Sequence, residues 1–191
     1  MIMINRLIEE FEFVQGIDFK EKDLYQEKSR THNWIAPQNG LSKINTDAAI
    51  DRSGTKGVVA AVCHTDQGGF IAASAMVIPH ITDPETLEAM ACSEALALAE
   101  DCGMRSFVVA SDCLNVVKNI REMPRCSYMM ILQDIHQRSK SFSSAQFAHE
   151  GRNFNREAHM LVKFACTLGS GRYIWLKSPP ILVDVNTSKV N

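Results

Sequence analysis

No stretch of this chain reaches the roughly eighteen continuous apolar residues that a membrane helix requires, so a spanning segment is not expected. Nor does the N-terminus read as a secretory or transit peptide, because Glu9, Glu10 and Glu12 place acids where such leaders lack them. The expected location is the cytosol or the nucleus. The six cysteines (Cys63, Cys92, Cys102, Cys113, Cys126 and Cys166) form no CxxC pair and sit mostly among apolar neighbours. That argues against zinc and disulfide frameworks and reads them as small core residues in a reducing compartment. An excess of one charge is missing too: 20 Lys and Arg against 22 Asp and Glu leave a formal net charge of −2. Nucleic acid would then have to be met by a local basic patch rather than by the whole surface. One candidate lies between Asn115 and Lys140, where Lys118, Arg121, Arg125, Arg138 and Lys140 outnumber Glu122 and Asp134; a solvated helix face is the plainer alternative.

What is present is ordinary globular material. The 191 residues, 46% hydrophobic and 22% charged, are enough for one well-buried core. Residues 1–33 begin with an amphipathic stretch (Leu7, Ile8, Phe11, Val14) and turn polar, which predicts a helix and a linker able to dock on a protein partner. From Trp34 the texture changes. "LSKINTDAAI", "GVVAAVCH" and "GFIAASAMVI" have strand character and are separated by turn signals such as "TDQGG", predicting an antiparallel meander. Pro84 to Cys102 switches to helical spacing, with Leu87, Met90, Ala91, Leu98 and Cys102 on one stripe and Gly103 as its stop. "SFVVAS" is a short apolar strand of the kind buried on both faces by a βαβ step. Helices on either side of Pro124, a brief strand "AQFAHE" and a final helix ending at Gly169 complete the series. The expected fold is a mixed five-stranded sheet, three antiparallel strands and then two parallel additions, flanked by helices. It occupies residues 34–177, with a loosely held tail over 178–191.

Three carboxylates draw interest within this frame. Asp47 lies on the first strand, on the side shared with Lys43 and Asn45; alone it is an ordinary polar residue of a half-exposed strand. Glu94 falls on the helical stripe with Leu87, Met90, Ala91 and Leu98, which should face the sheet. A carboxylate there needs compensation, either a bound cation or the duller solutions of a buried arginine or a position at the edge of the stripe. Asp112 follows "FVVAS" just before a helix, where it is either an N-cap or, at the carboxyl end of a strand, a ligand-binding group.

A strand Asp, a mid-helix Glu and a strand-end Asp in this order resemble the ribonuclease H family. The segments "KINTDAAI", "TDQGG", "SEALALAEDCG", "FVVASDCLNVVKNI" and "HEGRNFNREAHMLVKFA" are closest to its plant, retroelement-type branch, over about Trp34 to Trp175. The resemblance implies that Asp47, Glu94 and Asp112 converge on Mg²⁺ or Mn²⁺. It also implies an endonuclease that cuts the RNA strand of an RNA–DNA hybrid. Two hard cations about 4 Å apart activate a water and stabilise the leaving 3′ oxygen, and carboxylates are the side chains that hold such ions.

The same resemblance assigns His149 to a mobile-loop histidine that assists proton transfer and product departure. It marks Asn155 as the start of the last motif, four residues before His159. Many family members carry Asp where His159 stands. Histidine is a poor Mg²⁺ ligand and brings no negative charge, so occupancy of the second metal is expected to fall. Asn45, Ser111 and Asn115 adjoin the expected ligands and are candidate contacts to a hybrid's minor groove, together with Asn155. The chain lacks the tryptophan-rich basic extension of some family enzymes, which predicts weak or salt-sensitive binding. The alternative function is a catalytically weakened, retroelement-derived module that binds nucleic acid or protein.

Overall fold

The computed structural model describes residues 34–38, 40–176, 178 and 180. The amphipathic segment over 1–33, with its expected docking role, and most of the tail lie outside them. Alternating side chains build three strands, β1 (Ser42–Ile50), β2 (Lys56–His64) and β3 (Phe70–Pro79), joined as an antiparallel meander. The β2–β3 turn closes where the Thr65 amide donates to the Gly69 carbonyl at 2.8 Å, with Gly68 at φ 81°.

Helix α1 (Pro84–Asp101) follows, started by Asp83, whose carboxylate accepts from the Thr86 amide at 2.9 Å. It stops as the sequence predicts. Gly103 adopts φ 63°, the Met104 amide reaches the Ala99 carbonyl at 2.9 Å, and the Gly103 amide reaches that of Glu100 at 3.0 Å, a Schellman closure. Its approach to the sheet is close: a Cβ on Gly57 would stand 2.3 Å from a Leu87 methyl and 2.6 Å from the Ile81 carbonyl oxygen, so only glycine fits there.

Strand β4 (Ser106–Ser111) then pairs parallel to β1, as a crossover helix dictates. Helices α2 (Leu114–Glu122) and α3 (Met129–Ser139) lead to β5 (Ser144–His149), parallel to β4. A short 3₁₀ turn (Arg152–Phe154) opens α4 (Arg156–Ala165). The five expected strands are present, and a sixth, β6 (Gly171–Trp175), extends the sheet by pairing antiparallel to β3, giving the order β5-β4-β1-β2-β3-β6.

The core fills both faces of this sheet. Ile44, Ala61, Cys63 and Ala72 pack with Cys92, Ala95 and Ala99 of α1 on one side, joined by Leu132 and Ile135 of α3. On the other, α4 buries Ala158, Leu161, Val162 and Ala165. Because β1 alternates, Lys43, Asn45 and Asp47 point toward the α4 side while Ile44 and Thr46 point toward α1. All six cysteines are free. Among the described residues no helix is long and apolar enough to cross a membrane.

Candidate functional site

The parallel register brings the strand ends level. Thr46 pairs with Ser111 and Ser111 with His149, so Asp47, Asp112 and His149 each lie at or just beyond the carboxyl end of this three-strand ladder. Helix α1 contributes the third acid. Asp47, Glu88 and Asp112 each offer a carboxylate oxygen within 4.8 Å of the others.

Glu94, the expected third carboxylate, is elsewhere, and the geometry corrects that expectation. It is buried as its stripe requires, but its Oε1 accepts from Arg172 Nε at 2.8 Å, while the same guanidinium donates to Asp101 at 2.6 Å. The compensation is an arginine that reaches in from the surface, 30% exposed against 3% for Glu94. It comes from β6, the strand absent from the sequence-based plan. Glu88 precedes Cys92 by one turn and Ala95 and Ala99 by two and three, a line of small residues on the sheet-facing side of α1. Cys92 bonds with Thr46 and Glu88 accepts from the Ala48 backbone, so the helix runs antiparallel to β1 and delivers Glu88 to the level of Asp47.

Bringing three acids together has an electrostatic cost. Burial, then the neighbouring charges of Asp47 and Asp112, push the Glu88 carboxyl up to about 8. Burial and the Asp47 charge also raise Asp112. Arg152, on the loop after β5, opposes both shifts. Glu88 Oε2 is buried with no hydrogen-bond partner. A buried, unpartnered carboxylate oxygen facing two more carboxylates fits a hard divalent cation with oxygen ligands.

The sign of the resulting pH dependence follows from linkage. In the metal-free fold Glu88 keeps its proton to about pH 8, whereas an unshifted glutamate ionises near 4.5. The stability this contributes is complete below the unfolded value and is lost as pH rises through the folded one. Metal-free wild type should therefore lose stability relative to Glu88→Gln between about pH 5 and pH 8. Thermal unfolding of both proteins in chelator across that range measures the difference; parallel curves would refute it.

The other expected residues have distinct placements. His159 is held beside Asp47, its Nδ1 2.8 Å from Oδ2. His149 is exposed at the end of β5. Asn155 is buried and its Nδ2 donates to the Thr46 carbonyl at 2.6 Å, tying the start of α4 to β1. Asn45 is buried beneath α4, and Ser111 is fully buried with its hydroxyl accepting from the Cys113 amide at 3.1 Å. Both lie beneath the surface next to the carboxylate group. Asn115 is exposed and donates to Glu85 at 2.9 Å. Asp112 is not an N-cap: Cys113 occupies that position at the start of α2, and Asp112 is left to face the other acids.

A family profile described as "Reverse transcriptase-like" matches residues 45–165. No curated protein matches the chain. Among solved structures, the ribonuclease H1 of the halophilic archaeon Halobacterium salinarum is 22% identical and aligns over 67% of this chain and 98% of its own, with a TM-score of 0.57. The N-terminal ribonuclease H domain of a Mycobacterium tuberculosis protein is 18% identical over 66% of this chain and 94% of its own, with a TM-score of 0.60. LC11 ribonuclease H1, solved in complex with an RNA/DNA hybrid, is 18% identical over 66% of this chain and 96% of its own, with a TM-score of 0.59. At such identities the likeness is one of fold. Together with the profile match, the chain belongs to the reverse transcriptase-like family and so to the ribonuclease H-like superfamily.

Proposed function

We propose that this protein is a divalent-metal-dependent endonuclease of the plant, retroelement ribonuclease H type, cutting the RNA strand of RNA–DNA hybrids with Asp47, Glu88 and Asp112 holding Mg²⁺ or Mn²⁺. The observation that carries the reading is the convergence of these three carboxylates where the parallel pairing of β1 with β4 ends, with one buried oxygen left unpartnered. A structural neighbour that holds an RNA/DNA hybrid gives the substrate class its support.

Cations bound there supply Lewis-acid stabilisation and an acidified water. Asp47 and Asp112, fixed by strand register, orient the site, and Glu88 gives up its proton as it is occupied. His159 holds Asp47 through Oδ2. Water adds to phosphorus as the bond to the 3′ oxygen breaks; the attacking water gives up a proton and the 3′ oxygen takes one up, a transfer that His149, exposed at the end of β5, would assist. The products are a 5′-phosphate and a 3′-hydroxyl.

A second reading has a specific observation in its favour: a neutral-capable histidine, not a fourth acid, stands 2.8 Å from Asp47. It makes the chain a binding module with weak turnover. Incubation with end-labelled hybrid in Mg²⁺ and in Mn²⁺ separates the two. Cleavage that is lost in Asp47→Asn supports the nuclease; activity persisting in that variant belongs to a contaminant, and hybrid retention without cleavage favours the module.

A further inference from the structure

Lys43 is a cation taken almost wholly out of water. It is 1% exposed, and an ammonium in such a place is costly unless it is paired and fully hydrogen-bonded. Its Nζ donates to Glu150 Oε2 at 2.5 Å and to the Ile35 carbonyl at 2.7 Å, and lies 5.3 Å from the centroid of the Trp34 ring. Glu150 is itself only 11% exposed. The pair joins β1 to the first residue after β5, on the face of the sheet covered by α4. None of the steps of hydrolysis uses it.

What it restrains is the crossover between β5 and α4. That segment leaves the sheet edge at His149, passes the end of β4, where the Glu150 amide donates to the Ser111 carbonyl at 3.0 Å, and reaches β1, where Asn155 grips the Thr46 carbonyl at 2.6 Å. Residues 151–153 between these ties are exposed. The Lys43 contact adds a side-chain tie to the backbone pairing that holds the near end to β4. Buried ion pairs contribute little net stability compared with apolar packing, but they fix geometry, and an exposed proton carrier needs a fixed base more than it needs burial.

We propose that Lys43 and Glu150 are positioning residues, a clasp that holds the 149–155 crossover, and with it His149, against the sheet end beside Asp112. The inference rests on the reading of the carboxylate group as a hydrolytic centre. Lys43→Met and Glu150→Gln test it, the second keeping shape and hydrogen-bonding capacity should the first fail to fold.

In metal-free protein, amide exchange over 149–155 is expected to quicken by about tenfold or more in each variant, while α1 and β2 keep wild-type rates. In hybrid cleavage, kcat is expected to fall by roughly tenfold with KM little changed, and the loss should vanish in a His149→Ala background. Unchanged exchange at 149–155, or acceleration spread evenly over the sheet, would overturn the clasp. An equal loss of kcat with and without His149 would overturn its link to that residue. If wild type cleaves no hybrid, the proposed function falls, and the exchange pattern alone still upholds or overturns the clasp.

Discussion

Glu88→Gln is expected to lower hybrid cleavage by more than about a hundredfold, whereas Glu94→Gln should keep it within about twofold. Outer partners of a metal site already cost 10–100-fold when lost, and a direct ligand costs more. The two residues are both mid-helix glutamates of α1, and either satisfies a loose sequence pattern. Only Glu88 stands within 4.8 Å of Asp47 and Asp112. The amide mimics the protonated carboxyl that the metal-free fold keeps up to about pH 8, so metal-free Glu88→Gln should be no less stable than wild type, which separates a lost ligand from a lost fold. Activity assays over a range of Mn²⁺ concentrations, with circular dichroism on the same samples, measure both. Retained cleavage in Glu88→Gln would remove it from the metal site, and a collapse in Glu94→Gln without loss of stability would reinstate Glu94.

Arg172→Ala should have the complementary outcome: little change in cleavage at low temperature and a fold weakened by about 3 kcal/mol, the lower end of what breaking a buried pair costs. The lower end applies because Arg172 is 30% exposed while Glu94 is 3% exposed. In a chain of this size that corresponds to a melting point lower by roughly 6–12 °C. The cause is the carboxylate left behind, buried and uncompensated, and the lost bond to Asp101 adds to it. Pairing the change with Glu94→Met should recover much of the loss, since it removes the buried charge that Arg172→Ala leaves uncompensated. Urea or thermal unfolding of the single and double variants tests this, and an unaffected Arg172→Ala would show that the pair with Glu94 does not stabilise the fold.

The meander, the crossover helix and the stop at Gly103 were legible because each leaves a periodic or conformational mark: alternation in β1, a 3.6-residue repeat in α1, an αL glycine at its end. Asp47 and Asp112 were legible for a related reason, since Asp47 falls on the polar side of an alternating strand and Asp112 stands just past the point where another stops. Glu88 was not. Helix α1 is covered by the sheet on one side and α3 on another, so Leu87, Ala89, Ala91, Cys92, Ala95, Leu96, Leu98 and Ala99 are all buried and no single stripe marks the sheet-facing line. The alanines and Cys92 that follow Glu88 were the available signal, because a helix approaches a sheet most closely along its small residues. Strand β6 leaves too short a mark: five residues, none of them buried, beginning with a glycine. With β6 went Arg172, and so the partner that explains Glu94 without a metal.

That partnership has a historical consequence. Glu94 and Arg172 are separated by 78 positions, yet neither is comfortable alone. Among descendants of this sequence, drift at one should drag the other with it, the pair surviving or disappearing together. Among the described residues Glu88 has no ion pair of that kind, and its constancy or loss from lineage to lineage would record whether the site was still in use.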